Sequence, residues 1–174
     1  HAQVSLVGAP TDIGASTRGA SMGPEALRVA GLQQTLEAQG VEVVDRGNLG
    51  GPGNPCLPPV DGYRHLAEVA AWNRLVHDAV HGELASGRLP ILLGGDHSLA
   101  IGSIAAAGRH CRETGKRLRV LWLDAHADFN TSVLTPSGNL HGMPVACLCG
   151  HGPRELIEVG GAVPAMSPEA IRQI

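Results

Sequence analysis

A chain of 174 residues is of single-domain length and can bury a sizeable core. With 43% hydrophobic and 17% charged residues it reads as folded and water-facing, and only 2% aromatics leave the core to Val, Leu, Ile and Ala. A net charge of −3 provides no basic footprint for nucleic acid or anionic membranes, no apolar run is long enough to span a bilayer, and the start lacks a charged-then-apolar secretory pattern.

Val4-Ser5-Leu6-Val7-Gly8 predicts a first strand, followed by a glycine-rich stretch from Gly8 to Gly23. The spacing Gly8, Gly14, Gly19, Gly23 is not the G-x-G-x-x-G of a dinucleotide site and no Walker lysine follows, so nucleotide binding is not expected. Pro24 suits the first turn of a helix and Glu25 its positive end, which predicts a helix to about Gln39 with Gly40 as its stop. Val41 to Val44 is a second short strand.

Gly47 to Gly62, with five glycines and four prolines, is loop by composition. Leu66, Val69, Val76, Val80 and Leu84 then repeat at helical spacing, so residues 62 to 86 form a long amphipathic helix. On it His77-Asp78-Ala79-Val80-His81 mimics the H-E-x-x-H zinc helix with Asp for Glu. Without an obvious third ligand these read as solvent-facing histidines.

Pro90-Ile91-Leu92-Leu93 is a third strand that runs into Gly94-Gly95-Asp96-His97-Ser98. The glycines allow a tight turn at the sheet edge, His97 then projects into the crevice there, and Ser98 can cap the next helix. That helix is expected from Leu99 to about Cys111, with Gly115 ending it. The alternation of strands and helices predicts an α/β fold: a doubly wound, mostly parallel sheet with helices on both faces. The cysteines Cys56, Cys111, Cys147 and Cys149 include no C-x-x-C pair, and the last two are too close for an easy disulfide. A reducing, cytoplasmic setting follows.

Val120-Leu121-Trp122-Leu123 has the composition of a buried parallel strand, and it ends in Asp124-Ala125-His126-Ala127-Asp128. Ligands bind at the carboxyl ends of strands in such sheets, and carboxylates with imidazole suit hard or borderline divalent metals. A fully extended Asp124 to Asp128 would span about 13 Å, so convergence on one site requires the backbone to curl after Asp124. Beyond it lie Asn130 and Thr135-Pro136-Ser137-Gly138-Asn139-Leu140-His141-Gly142-Met143-Pro144. This polar loop can bind the polar end of a substrate held over metals.

Together, the segments 94–98, 124–128 and 137–144, with the glycine-rich opening, resemble the ureohydrolase family and within it the arginases, over nearly the whole chain in order. The resemblance implies the three-layer fold shared with deacetylases, in one domain over residues 1–174. It implies a binuclear Mn²⁺ site in which His97 and Asp128 ligate one ion, His126 ligates the other and Asp124 bridges them. A hydroxide between the ions would attack the guanidinium carbon of L-arginine, releasing urea and L-ornithine. Asp128 and His141 would act in catalysis, His141 as the proton-transfer or substrate-orienting group. Asn130, Ser137 and Asn139 would meet the α-carboxylate, and Asp96 would help to position His97. The family also implies a homo-oligomer, trimer or hexamer.

The pattern breaks at one point. Arginases add a later D-x-D pair of ligands and a late glutamate, whereas no Asp follows Asp128 here. Two Mn²⁺ ions bring four positive charges, of which Asp124, Asp128 and a hydroxide compensate three. The chain is therefore expected to be the N-terminal part of an arginase, truncated after four to five strands. In the family's sheet, late strands lie between those carrying His97 and Asp124, so the two half-sites are expected to lack direct contact. These 174 residues alone are not expected to fold to the family structure with a working site. A non-catalytic fragment or interaction module is one alternative, and an agmatinase or other guanidino-compound ureohydrolase is another.

Overall fold

The computed structural model describes residues 3–174. β1 (Gln3–Ala9), β2 (Glu42–Asn48) and β3 (Leu89–Gly94) form a parallel sheet in the order β2-β1-β3. Side-chain alternation gives this sheet two apolar faces. Val4, Leu6 and Leu93 pack beneath Leu32 and Leu36 of α2 (Leu32–Ala38), and Ala9 and Leu92 pack on the other side with the inner stripe of α3 (Leu66–Ala85). Helices therefore cover both faces, as expected for a doubly wound sheet.

A second parallel sheet pairs β4 (Val120–Trp122) with β5 (Ile171–Gln173). It is held by α4 (Ala100–Glu113) and α5 (Pro144–Leu148), through Ala105, Trp122, Val145, Leu148 and Met166. α3 and α4 pack closely and join the two halves. Gly102 makes this approach feasible: its N–H donates to Asn73 Oδ1 at 2.7 Å, and a Cβ there would sit 2.4 Å from the Asn73 carbonyl oxygen. β3 and β4 do not pair. Between them runs a trough of about 700 Å³ whose walls include Leu84, Leu89, Leu92, Leu118 and Leu121.

Several expectations are corrected. The helix predicted from Pro24 to Gln39 is two, α1 (Gly23–Val29) and α2, broken where Gly31 takes φ 82°; only glycine enters that left-handed region freely. The second strand runs on to Asn48, because its Asp45 and Asn48 meet Arg28 of α1. His77 does not face solvent: it falls on the buried stripe of α3 with Val69, Asn73, Val76 and Val80, while the partly exposed His81 reaches Glu113 of α4 at 2.7 Å. The Val120–Leu123 run is buried on one face only. Trp122 points into the core, whereas Leu121 and Leu123, on the opposite face, are 67% and 76% exposed.

Glu83, near the end of α3, pins the helix to all three strands of the first sheet. Its carboxylate accepts from the buried Ser5 hydroxyl of β1, from Arg46 of β2 at 2.9 Å and from Arg88 beside β3. The Arg88 hydrogen bond, joined by Ser5 and Arg46, outweighs burial and brings the Glu83 carboxyl down to about 2. A carboxylate depressed on folding stabilises above its unfolded pKa and loses that contribution as pH falls through the folded value. Glu83→Gln is therefore expected to cost about 1–2 kcal/mol at neutral pH, discounted for solvent screening. Calorimetry should show the gap to wild type closing between roughly pH 5 and 2.

Candidate metal centre

The site forms where the carboxyl ends of β3 and β4 face each other. β3 ends at Gly94-Gly95, and Gly95 has φ 56° with no room for a side chain: a Cβ would lie 2.6 Å from the Ala9 carbonyl oxygen. The turn delivers Asp96 as the cap of a 3-10 turn over His97–Leu99, its carboxylate accepting from the Ser98 N–H at 2.9 Å. Asp96, not Ser98, is thus the capping residue, because a side chain can accept from an amide two positions on only when it precedes the turn. His97 reaches across the end of the trough and stacks on Trp122, with ring centroids 4.4 Å apart and planes 17° from parallel.

From the other side the chain curls after Asp124. Asp124 Oδ1 accepts from the His126 N–H at 2.9 Å, and Asp128 adopts φ 49°, a left-handed conformation that Asp tolerates better than most side chains. The curl is clasped from outside: the Asp128 carbonyl accepts from Val145 N–H at the start of α5, and the Gly142 carbonyl accepts from Asn130 N–H, both at 3.0 Å.

This brings together His97, Asp124 and Asp128, whose donor atoms all lie within 4.8 Å of one another. His97 Nδ1 is 2.8 Å from Asp124 Oδ2 and 3.0 Å from Asp128 Oδ2. The two half-sites, expected to stand apart, therefore do meet, through side chains that reach past the unpaired strands. Asp128 Oδ2 is buried and makes no hydrogen bond, although the His97 imidazole nitrogen stands beside it. Three ligating atoms gathered this closely, imidazole with two carboxylates, fit a hard or borderline divalent ion.

The carboxylates are driven apart electrostatically. The His126 backbone N–H holds the Asp124 carboxyl below the usual range despite some desolvation. Burial pushes Asp128 up, and Asp124 beside it adds to the rise, against the pull of His97. His126 stands outside the three-donor group. Its side chain is 80% exposed and its Nδ1 lies 2.9 Å from Asp124 Oδ1.

A cleft of about 620 Å³ opens over these residues, and Asn130, His141, Gly142 and Phe129 line it further. Ser137 and Asn139 do not line it. Ser137 Oγ accepts from the Asn139 N–H at 3.3 Å. Asn139 is buried, with Oδ1 accepting from Arg64 Nε at 3.1 Å and its amide N–H donating to Ser16 Oγ. Trp122 and Phe129 were not singled out from the sequence as site residues. Trp122 shares the face of Asp124 at period two, a signal that could have placed it beside the site.

The arginase family profile matches residues 2–173. The arginase of Brevibacillus brevis is 39% identical over 97% of this chain and 55% of its own length. The arginase of Bacillus caldovelox is 40% identical over 97% of this chain and 56% of its own, and its native crystal structure superposes with a TM-score of 0.91, covering 99% of this chain and 57% of that one. The arginase of Entamoeba histolytica, solved with L-ornithine, is 33% identical with a TM-score of 0.87 over 98% of this chain and 57% of its own. The chain spans about half the length of the curated relatives it matches.

Proposed function

The chain belongs to the arginase family, and on that premise we propose that the protein hydrolyses L-arginine to L-ornithine and urea at a binuclear Mn²⁺ site to which this chain contributes the first ligands. The observation that carries the reading is the convergence of His97 Nδ1, Asp124 Oδ2 and Asp128 Oδ2. His97 and Asp128 would hold one ion and His126 the other, with Asp124 between them. Its two oxygens already face different imidazoles, Oδ2 toward His97 and Oδ1 toward His126. Two divalent ions, when bound, supply Lewis-acid polarisation and a water acidified toward neutral pH. Burial pushes the Cys147 thiol up to about 12 and raises that of Cys149, which keeps both protonated near neutral pH.

The remaining work falls to side chains of the cleft. Asp128 accepts a hydrogen bond from the attacking water and orients it toward the guanidinium carbon. An imidazole nitrogen of His141 passes a proton to the departing amine. Asn130 donates its side-chain amide N–H to the substrate α-carboxylate, while Ser137 and Asn139, which stand outside the cleft, brace the loop through the Asn139 N–H to Ser137 Oγ bond and the contacts of Asn139 with Arg64 and Ser16. A ligand set short of carboxylates for two ions accords with a chain spanning half its relatives' length. A cytoplasmic homo-oligomer, trimer or hexamer, with L-arginine as its small-molecule partner, completes the proposal.

The position of His126 outside the three-donor group favours a second reading, a non-catalytic module holding one ion. Manganese titration by electron paramagnetic resonance, followed by urea assays on L-arginine and agmatine, separates them. The assay combines this chain with the carboxyl-terminal half of the Bacillus caldovelox arginase. Two ions bound and urea from arginine are expected. One ion and no urea supports the module, and equal turnover of agmatine reassigns the substrate.

A further inference from the structure

Asp96 is buried, and only one of its two carboxylate oxygens is used to cap the turn that carries His97. The other, Oδ2, accepts from the N–H of Gly14, 82 residues away in the loop after β1, at 2.9 Å. Gly14 in turn presents its carbonyl to the N–H of His141 at 3.0 Å. The next residue, Gly142, accepts from the Asn130 N–H. One carboxylate thus connects the strand end bearing a metal ligand to the loop bearing the two cleft residues His141 and Asn130.

The fit around Gly14 is too tight for a side chain. A Cβ there would lie 2.3 Å from Asp96 Oδ1 and 2.5 Å from Ser98 Oγ. Glycine is therefore required at position 14 by the closeness of the Asp96 carboxylate, not by a turn geometry.

We propose that Asp96 and Gly14 are positioning residues for His141: through two successive hydrogen bonds they set its distance from the metal-ligand group. The inference rests on the reading of His141 as the proton-handling residue. A charge-assisted bond to a buried carboxylate is short and directional, so it transmits position better than apolar contact would. Breaking the contact between Asp96 Oδ2 and Gly14 should let the 137–142 loop relax, while Asp96→Asn keeps an Oδ1 acceptor to cap the His97 turn, so that the metal ligands stay in place.

The test uses the 174-residue chain with Gly14→Ala and Asp96→Asn, and Ser98→Ala as an equally buried control beside the same contact. Amide hydrogen exchange by NMR should accelerate at least about 10-fold at His141 in the first two variants, while core amides of α3 stay within roughly 2-fold of wild type. Added Mn²⁺ should broaden the His141 ring proton less in those variants than in wild type and the control, because the effect falls with the inverse sixth power of distance. Unchanged exchange at His141 in both variants, or equal acceleration throughout the fold, overturns the proposal. Absence of Mn²⁺ binding in the wild type defeats the metal reading instead, and the exchange comparison still decides the positioning role.

Discussion

Asp128→Asn should weaken Mn²⁺ binding at least about 100-fold, more than loss of a residue that merely supports a ligand, and should leave the metal-free protein no less stable. The asparagine keeps the volume of the side chain and tolerates the left-handed backbone at φ 49°. What it removes is a carboxylate whose Oδ2 is buried without a hydrogen bond and which stands beside Asp124. With its side chain only 8% exposed, Asp128 is costly to ionise until a cation arrives. An acid whose pKa rises on folding favours the folded state at low pH and disfavours it once ionised. The variant should therefore gain on the metal-free wild type as pH rises past the ordinary aspartate range. Isothermal titration with Mn²⁺ and thermal melts from about pH 4 to 7 would show both effects. A joint fall in affinity and stability would mean that Asp128 holds the turn rather than the metal.

The parts of this molecule that were legible in the sequence are those governed by local pattern. The apolar runs of β1 and β3, the proline and glycine bracketing at Pro24 and Gly40, and the two ligand motifs at 94–98 and 124–128 are signals written within about ten residues. The left-handed Asp128 was legible as a need for curvature, because an extended chain could not bring Asp124 and Asp128 together. The illegible parts depend on distance through space. That Asn139 accepts from Arg64 and donates to Ser16 rather than facing the cleft involves partners 75 and 123 residues away, and no periodicity encodes them. That Gly31 interrupts a helix was written in the residue itself, but the start signal at Pro24 and the stop signal at Gly40 read as one helix between them. Exposure of Leu121 and Leu123 follows from the trough between β3 and β4, a property of strand order, which an apolar run does not specify.

The same trough makes Trp122 the residue on which fold and site both depend, and Trp122→Ala should lower stability by about 3–5 kcal/mol. The indole fills the core of the second half with Ala105, Val145, Leu148 and Met166, and its face supports the His97 ring across the gap. A loss of that size is a large fraction of the ~5–15 kcal/mol that keeps a domain folded, and the melting temperature should fall by on the order of 10 °C. With the aromatic face gone, His97 is left with no ring to fix its orientation, so Mn²⁺ affinity should drop about 10-fold in whatever fraction stays folded. Trp122→Phe separates the two contributions. Trp122 Nε1 is buried without a hydrogen-bond partner, and an unpaired buried donor carries a penalty of about 1–3 kcal/mol. Phenylalanine removes that donor while keeping an aromatic face for His97, so it should lie within about 1 kcal/mol of wild type and retain Mn²⁺ binding. If the phenylalanine variant loses metal as the alanine variant does, the indole's size and edge, not its face, orient His97. If it binds as wild type, stacking across an unpaired sheet edge is what brings the two halves of the site together.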